Sequence, residues 1–162
     1  MNKITILAAF MYFLFFSNCN NPKCSAPNPF TLYFFYYTQD GEISLLKDRS
    51  IYNKLEISYI NKTGEKKYIN DYTVWMGFEG EEKEGHLSTR ELTTVAGSGI
   101  KDFYFEYENI VDTLYLDIDG QLHPECEGYV YTFKSMLFNG DPVTSRDNDV
   151  GDLTYELFSN KL

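Results

Sequence analysis

The chain has 162 residues, 43% of them hydrophobic and 17% aromatic, with a formal net charge of −10. That length supports one domain with a sizeable core. The acidic balance excludes nucleic acid and anionic lipid headgroups as partners of its surface, because both require clusters of Lys and Arg.

The first element is an export signal. Lys3 precedes an uncharged core from Ile4 to Phe16, 13 residues long. That suits the apolar region of a signal and falls short of the roughly 20 residues that span a bilayer. Phe16-Ser17-Asn18-Cys19 resembles the loose lipoprotein box of Bacteroidetes, with Asn18 where Gly, Ala or Ser is usual. The resemblance implies a lipoprotein signal over residues 1–18 and a diacylated Cys19 as the mature N-terminus. The membrane is then a partner through that lipid, since two acyl chains hold stably where one is marginal. Removal of Lys3 leaves the mature chain at −11. The expected location is the outer membrane of the cell envelope. No acidic export tag follows Cys19, so the periplasmic and surface faces stay open. An ordinary secretory signal cut near the same place, or an uncleaved anchor, is the alternative.

Residues 19–29 read as a flexible tether of Asn, Pro, Ser and Ala. With Cys19 lipidated, Cys24 and Cys126 remain, and two thiols in an oxidising compartment can pair. The bridge would close a loop of about 100 residues, stabilising by roughly 4–5 kcal/mol in the chain-entropy model. A thiol in a tether need not lie near Cys126, so the pairing is left open.

Residues 30–162 break into short β-rich runs. Phe30 to Thr38 is aromatic on both alternating faces, as in a central buried strand, and stops at Gln39-Asp40-Gly41. Leu55–Ile60 and Glu65–Asp71 flank Asn61-Lys62-Thr63-Gly64, a hairpin whose glycine supplies a positive φ. Tyr72–Phe78 precedes the densest charge run, Glu79 to Gly85, which is most simply a solvated loop. Leu87–Val95 reads as a strand, its threonines and the following Gly97-Ser98-Gly99 arguing against a helix. Lys101–Glu108 places Phe103, Phe105 and Tyr107 on one face. Val111–Ile118 does the same for Leu114, Leu116 and Ile118 and is expected to end at Asp119-Gly120. Tyr129–Phe138 alternates Tyr129, Tyr131 and Phe133 before Asn139-Gly140, and Leu153–Phe158 closes the chain. The spacing predicts an all-β fold, an antiparallel immunoglobulin-like β-sandwich of about seven to nine short strands.

The stretches YFFYYTQDGEISLL (33–46), VDTLYLDIDG (111–120) and YVYTFKSMLFNG (129–140) together resemble small, largely uncharacterised lipoproteins of Bacteroidetes. What they share is a layout of strands and turns over most of the mature chain. The resemblance implies an envelope-anchored β-sandwich and transfers no active-site residue.

Chemical motifs are sparse. His123-Pro124-Glu125-Cys126 offers three ligand types but lacks the partners of a closed zinc site. His86 has no second histidine or cysteine near it in sequence. Asp147 to Asp152 alternates acids without the sixth-position glycine and final glutamate of a calcium loop, and an exposed turn explains it as well. Gly97-Ser98-Gly99 is too short for a nucleophile elbow, so no metal, cofactor or catalytic residue is assigned. Asp112-Thr113-Leu114 matches the short motif at which Bacteroidetes O-glycosylate exported proteins, which would modify Thr113. Asn61-Lys62-Thr63 is formally an N-glycosylation sequon. Trp75, with Tyr72, is the candidate for stacking on a sugar ring. Their spacing of three points them to opposite faces, and the expected place of Trp75 is the core. Two functions follow: a non-enzymatic envelope module binding a glycan or protein partner, or a small carboxylate-dependent hydrolase. The scarcity of His and of nucleophile motifs favours the first.

Overall fold

Alternation of rings and aliphatics with polar residues drives eleven strands, which a computed structural model arranges as a two-sheet sandwich. It describes residues 29–41, 44–77, 85–122, 128–145 and 153–160. In chain order the strands are β1 Leu32–Tyr37, β2 Glu56–Ile60, β3 Lys66–Tyr68, β4 Tyr72–Trp75, β5 His86–Thr89 and β6 Asp102–Tyr107. There follow β7 Ile110–Leu122, β8 Tyr129–Phe138, β9 Asp141–Pro142, β10 Thr144–Ser145 and β11 Leu153–Phe158. The count exceeds the expected seven to nine partly because β9 and β10 are two residues each. One sheet has the order β10-β11-β1-β5-β4 and the other β3-β2-β6-β7-β8-β9.

β1 is central, as its doubly aromatic sequence predicts. It pairs antiparallel with β5 and parallel with β11. That parallel pair departs from the all-antiparallel expectation, because the first and last strands of the domain meet side by side rather than through a hairpin.

The core forms where inward residues of the two sheets meet. Leu32, Phe34, Tyr36, Leu87 and Leu157 face Ile57, Phe103, Phe105, Leu114 and Leu116, all at most 1% exposed. Phe105 meets Phe34 at 6.2 Å, Tyr36 at 5.9 Å and Phe138 at 5.8 Å, each edge to face, the geometry that ring quadrupoles favour. A polar tie crosses this apolar layer. The Tyr36 hydroxyl donates to Asp112 Oδ2 at 2.5 Å, and Asn139 Nδ2 donates to Asp112 Oδ1 at 2.8 Å. Burial first, and then the Asp112 carboxylate, push the Tyr36 hydroxyl far above the usual tyrosine range. Asn139 (φ 52°) and Gly140 (φ 90°) make the tight turn from β8 to β9, a left-handed pair typical of Asn-Gly hairpins. The Asn61–Gly64 hairpin is likewise as expected, with Gly64 at φ 84° and Asn61 N–H donating to Glu65 O.

Three local expectations are overturned. Residues 87–95 are not one strand: β5 ends at Thr89 and a helix runs Glu91–Gly97. Tertiary bonds offset the weak helix propensity of its threonines. Thr93 Oγ1 donates to Phe30 O at 2.9 Å, while Glu91 Oε2 accepts from the backbone N–H groups of Asn70 and Asp71. Leu92, Thr93 and Ala96 turn a buried face to the sandwich. The glycines taken to exclude the helix instead finish it, Gly99 adopting φ 98° with its N–H bonded to Ala96 O, as helix C-termini favour.

Gly120 does not end β7, which continues to Leu122. A Cβ there would lie 2.6 Å from Gly97 O, so the residue is small to let the helix approach the strand rather than to make a turn. In β8 the expected alternation is interrupted. The register with β7 shifts between Asp117 and Ile118, leaving Lys134 as the extra residue. Phe133 and then Met136 and Phe138 therefore turn inward, although their numbers change parity.

Candidate functional site

The outer face of the five-stranded sheet is built from the residues that alternate with the core. On β1 these are Tyr33, Phe35 and Tyr37; on β5, His86 and Ser88; on β4, Thr73 and Trp75. β11 adds Glu156 and Phe158. Strand register brings Glu156, Phe35, His86 and Trp75 into one row across four adjacent strands. His86 is the hub: its ring lies 5.1 Å from Trp75, 5.6 Å from Phe35 and 5.6 Å from Tyr33. Beside the row, Phe35 stacks on Tyr37 at 6.2 Å and Tyr37 on Phe158 at 5.5 Å. Gly41, at φ 70°, fits against the Phe158 ring, where a Cβ would sit 3.0 Å from Cε1.

Trp75 is 38% exposed and Phe158 40%, while Tyr33, Phe35, His86 and Glu156 are half-buried. Trp75 therefore does not fill the core as expected. β4 is an edge strand whose inward positions belong to Tyr72 and Val74. Tyr72 does point away from Trp75, and its hydroxyl donates to Leu55 O at 3.1 Å. The partners of Trp75 come instead from β5 and β1, which sequence reasoning missed because strand order was not legible in it. The aromatic alternation of β1 was the available signal.

Among described outward positions on this sheet, the only formal charge is Glu156, which takes no part in the ion pairs between described residues. Burial lowers the His86 pKa below its usual 6.5. The ring is thus neutral near pH 7, with one nitrogen donating and the other accepting.

The six-stranded sheet is different. Lys66–Glu106 at 2.7 Å, Lys101–Asp117 at 3.0 Å and Lys134–Asp119 at 3.2 Å bridge its outer face. Partial burial pushes the Glu106 carboxyl up, but Lys66 and the Ser58 hydroxyl together hold it below the usual range. Lys101 also sits 5.8 Å over the Tyr115 ring.

Thr113 is exposed on that outer face, within a strand bonded on both sides. Asp112 and Leu114, the other two residues of its motif, are fully buried.

Among the described residues, two open hollows lie elsewhere. One lies beside Arg90, Glu91 and Asp71, where Arg90 Nε donates to Thr31 Oγ1 and Glu91 caps the backbone of Asn70 and Asp71. The other lies by Ile60, Tyr104 and Tyr115, where Lys101 is paired with Asp117.

Cys19, Cys24 and Cys126 lie outside the described residues, as do residues 1–18, 79–84, 123–126 and 147–152. Among the described residues no three His, Cys, Asp or Glu side chains converge as metal ligands, and no helix is long and apolar enough to cross a membrane. The described carboxylates with a displaced pKa, Asp48, Glu65, Glu106 and Glu108, are all held low by hydrogen bonds or lysines. The chain matches no family model, no curated protein and no solved structure.

Proposed function

We propose that the protein is a lipid-anchored module of the bacterial cell envelope that binds a glycan or protein partner without catalysing a reaction. The observation that carries the binding role is the outer face of the five-stranded sheet. On a chain of net charge −10 it presents rings, hydroxyls and a neutral imidazole with a single carboxylate. Depletion of charge with enrichment of aromatics is the composition of a recognition surface. The described carboxylates held below their usual range suit ion pairs rather than a general acid, which needs a raised pKa. The anchor rests on the signal over residues 1–18 and on the resemblance of Phe16 to Cys19 to a Bacteroidetes lipoprotein box.

Two measurements test this. Labelled palmitate should enter the wild type and be absent from Cys19→Ala in a host that processes the signal. Label on neither form would remove the anchor. Detergent-solubilised full-length protein should bind isolated envelope fragments saturably, and Trp75→Ala should weaken that binding about tenfold or more. Binding unchanged by Trp75→Ala would remove this face as the binding surface.

A further inference from the structure

We infer that the row Glu156–Phe35–His86–Trp75 is a binding strip for an uncharged glycan chain, a reading that rests on the binding role proposed above. The chemistry of the face selects this ligand. A pyranose ring offers an apolar C–H face, which stacks on an aromatic ring, and a rim of hydroxyls that both donate and accept. Phe35 and Trp75 supply the rings. Glu156 supplies an acceptor, and neutral His86 one donor and one acceptor, at intervening or flanking positions of the same row. Thr73 and Ser88 add hydroxyls two residues along β4 and β5, on the same face.

What the face omits narrows the class. None of its described outward residues is Lys or Arg, and Glu156 repels negative charge. Uronate or sulfated glycans therefore lack a counter-ion within the row itself. Nor is any of those residues aliphatic. A protein interface of this aromatic content normally adds Arg or Met anchors, and a membrane-binding surface adds Leu and basic residues.

Geometry sets the size and form of the ligand. The row spans three inter-strand steps of about 4.8 Å, roughly 14 Å in all. That exceeds a monosaccharide and accommodates a short run of sugars. The ring planes rotate by 55° from Phe35 to His86 and 43° from His86 to Trp75. A flat, crystalline array of chains cannot touch all three rings. A single chain that twists about its linkages can.

Trp75 is the only tryptophan, so its emission reports occupancy of this strip directly. Full-length protein in detergent is titrated with cellohexaose, maltohexaose and mannohexaose, with polygalacturonate as the anionic comparison. At least one neutral hexasaccharide should shift the emission saturably, and polygalacturonate should not. Phe35→Ala should weaken that binding about tenfold, the affinity ratio of a single stacking contact. Glu156→Gln, nearly isosteric and half-exposed, should weaken it several-fold with an unchanged melting midpoint, which separates loss of binding from loss of fold. Equal or tighter binding of polygalacturonate overturns the claim of an uncharged ligand. If no hexasaccharide binds while envelope fragments still bind in a Trp75-dependent way, the glycan inference falls and the binding role stands with a protein partner. If neither binds, both fall.

Discussion

The two sheets share one core and differ on their outer faces. The six-stranded sheet and its turns hold the five ion pairs formed between described residues, from Lys54–Glu108 to Lys134–Asp119. The five-stranded sheet carries a continuous run of rings from Trp75 through His86, Phe35 and Tyr37 to Phe158. Ion pairs engage Lys66, Lys101 and Lys134 with carboxylates on one surface. On the other, Tyr37 is buried within the run of rings, but Trp75, His86, Phe35 and Phe158 stay partly exposed, and their burial against a ligand would still release water. On the proposed reading, the ion-paired face meets solvent and the ring-lined face meets the ligand.

The most severe way to break the comparison is to damage what both faces share. Phe105→Ala should cost about 3–5 kcal/mol, since the ring is 1% exposed and meets Phe34, Tyr36 and Phe138. Urea unfolding should show the loss, and the Trp75 environment should change with it although Trp75 is on the opposite side of its sheet.

Next in size is the polar tie between the sheets. Tyr36→Phe removes the hydroxyl bound to buried Asp112 and should cost about 1.5–3 kcal/mol. The same bond predicts a pH dependence. The folded pKa of Tyr36 lies above the reference 10.0, so folded protein keeps a proton that the unfolded chain releases. The stabilisation is present below about pH 10 and is lost as pH rises beyond it. Between about pH 9 and about pH 11 the wild type should lose more stability than Tyr36→Phe; equal losses would remove Tyr36 as the cause.

Smaller effects sharpen the contrast between the outer faces. Burial depresses the His86 pKa, so its contribution is complete above about pH 6.5 and declines as pH falls below it, where the unfolded chain binds the extra proton. His86→Gln should flatten the stability profile below about pH 6.5, measured by thermal melting. Trp75→Ala should cost only about 1 kcal/mol of stability, the centre of the range for point substitutions, while removing most of the binding. Least of all, Lys66→Ala and Lys101→Ala on the other sheet should barely shift the midpoint, and the shift should vanish in about 1 M salt. A large effect of either lysine on ligand binding would reverse the assignment of the two faces.

Local chemistry in the sequence determined a good deal. Alternation of Leu114, Leu116 and Ile118 placed the inward face of β7, Asn139-Gly140 and Gly64 marked their turns, and Phe30 to Thr38 announced a central strand. These features depend on residues a few positions apart, where side-chain period and positive φ act directly. Only the tertiary structure decided the rest. Thr93 and Thr94 lie in a helix because Phe30 O, Asn70 and Asp71 lie where they can be bonded or capped, and Gly120 stays within a strand because the helix presses against it. The row from Glu156 to Trp75 joins residues up to 121 positions apart, with Phe35 and Glu156 meeting through a parallel pairing of chain-distant strands. Strand neighbours of that kind are selected by burying both sheets at once, a non-local condition that no local pattern records.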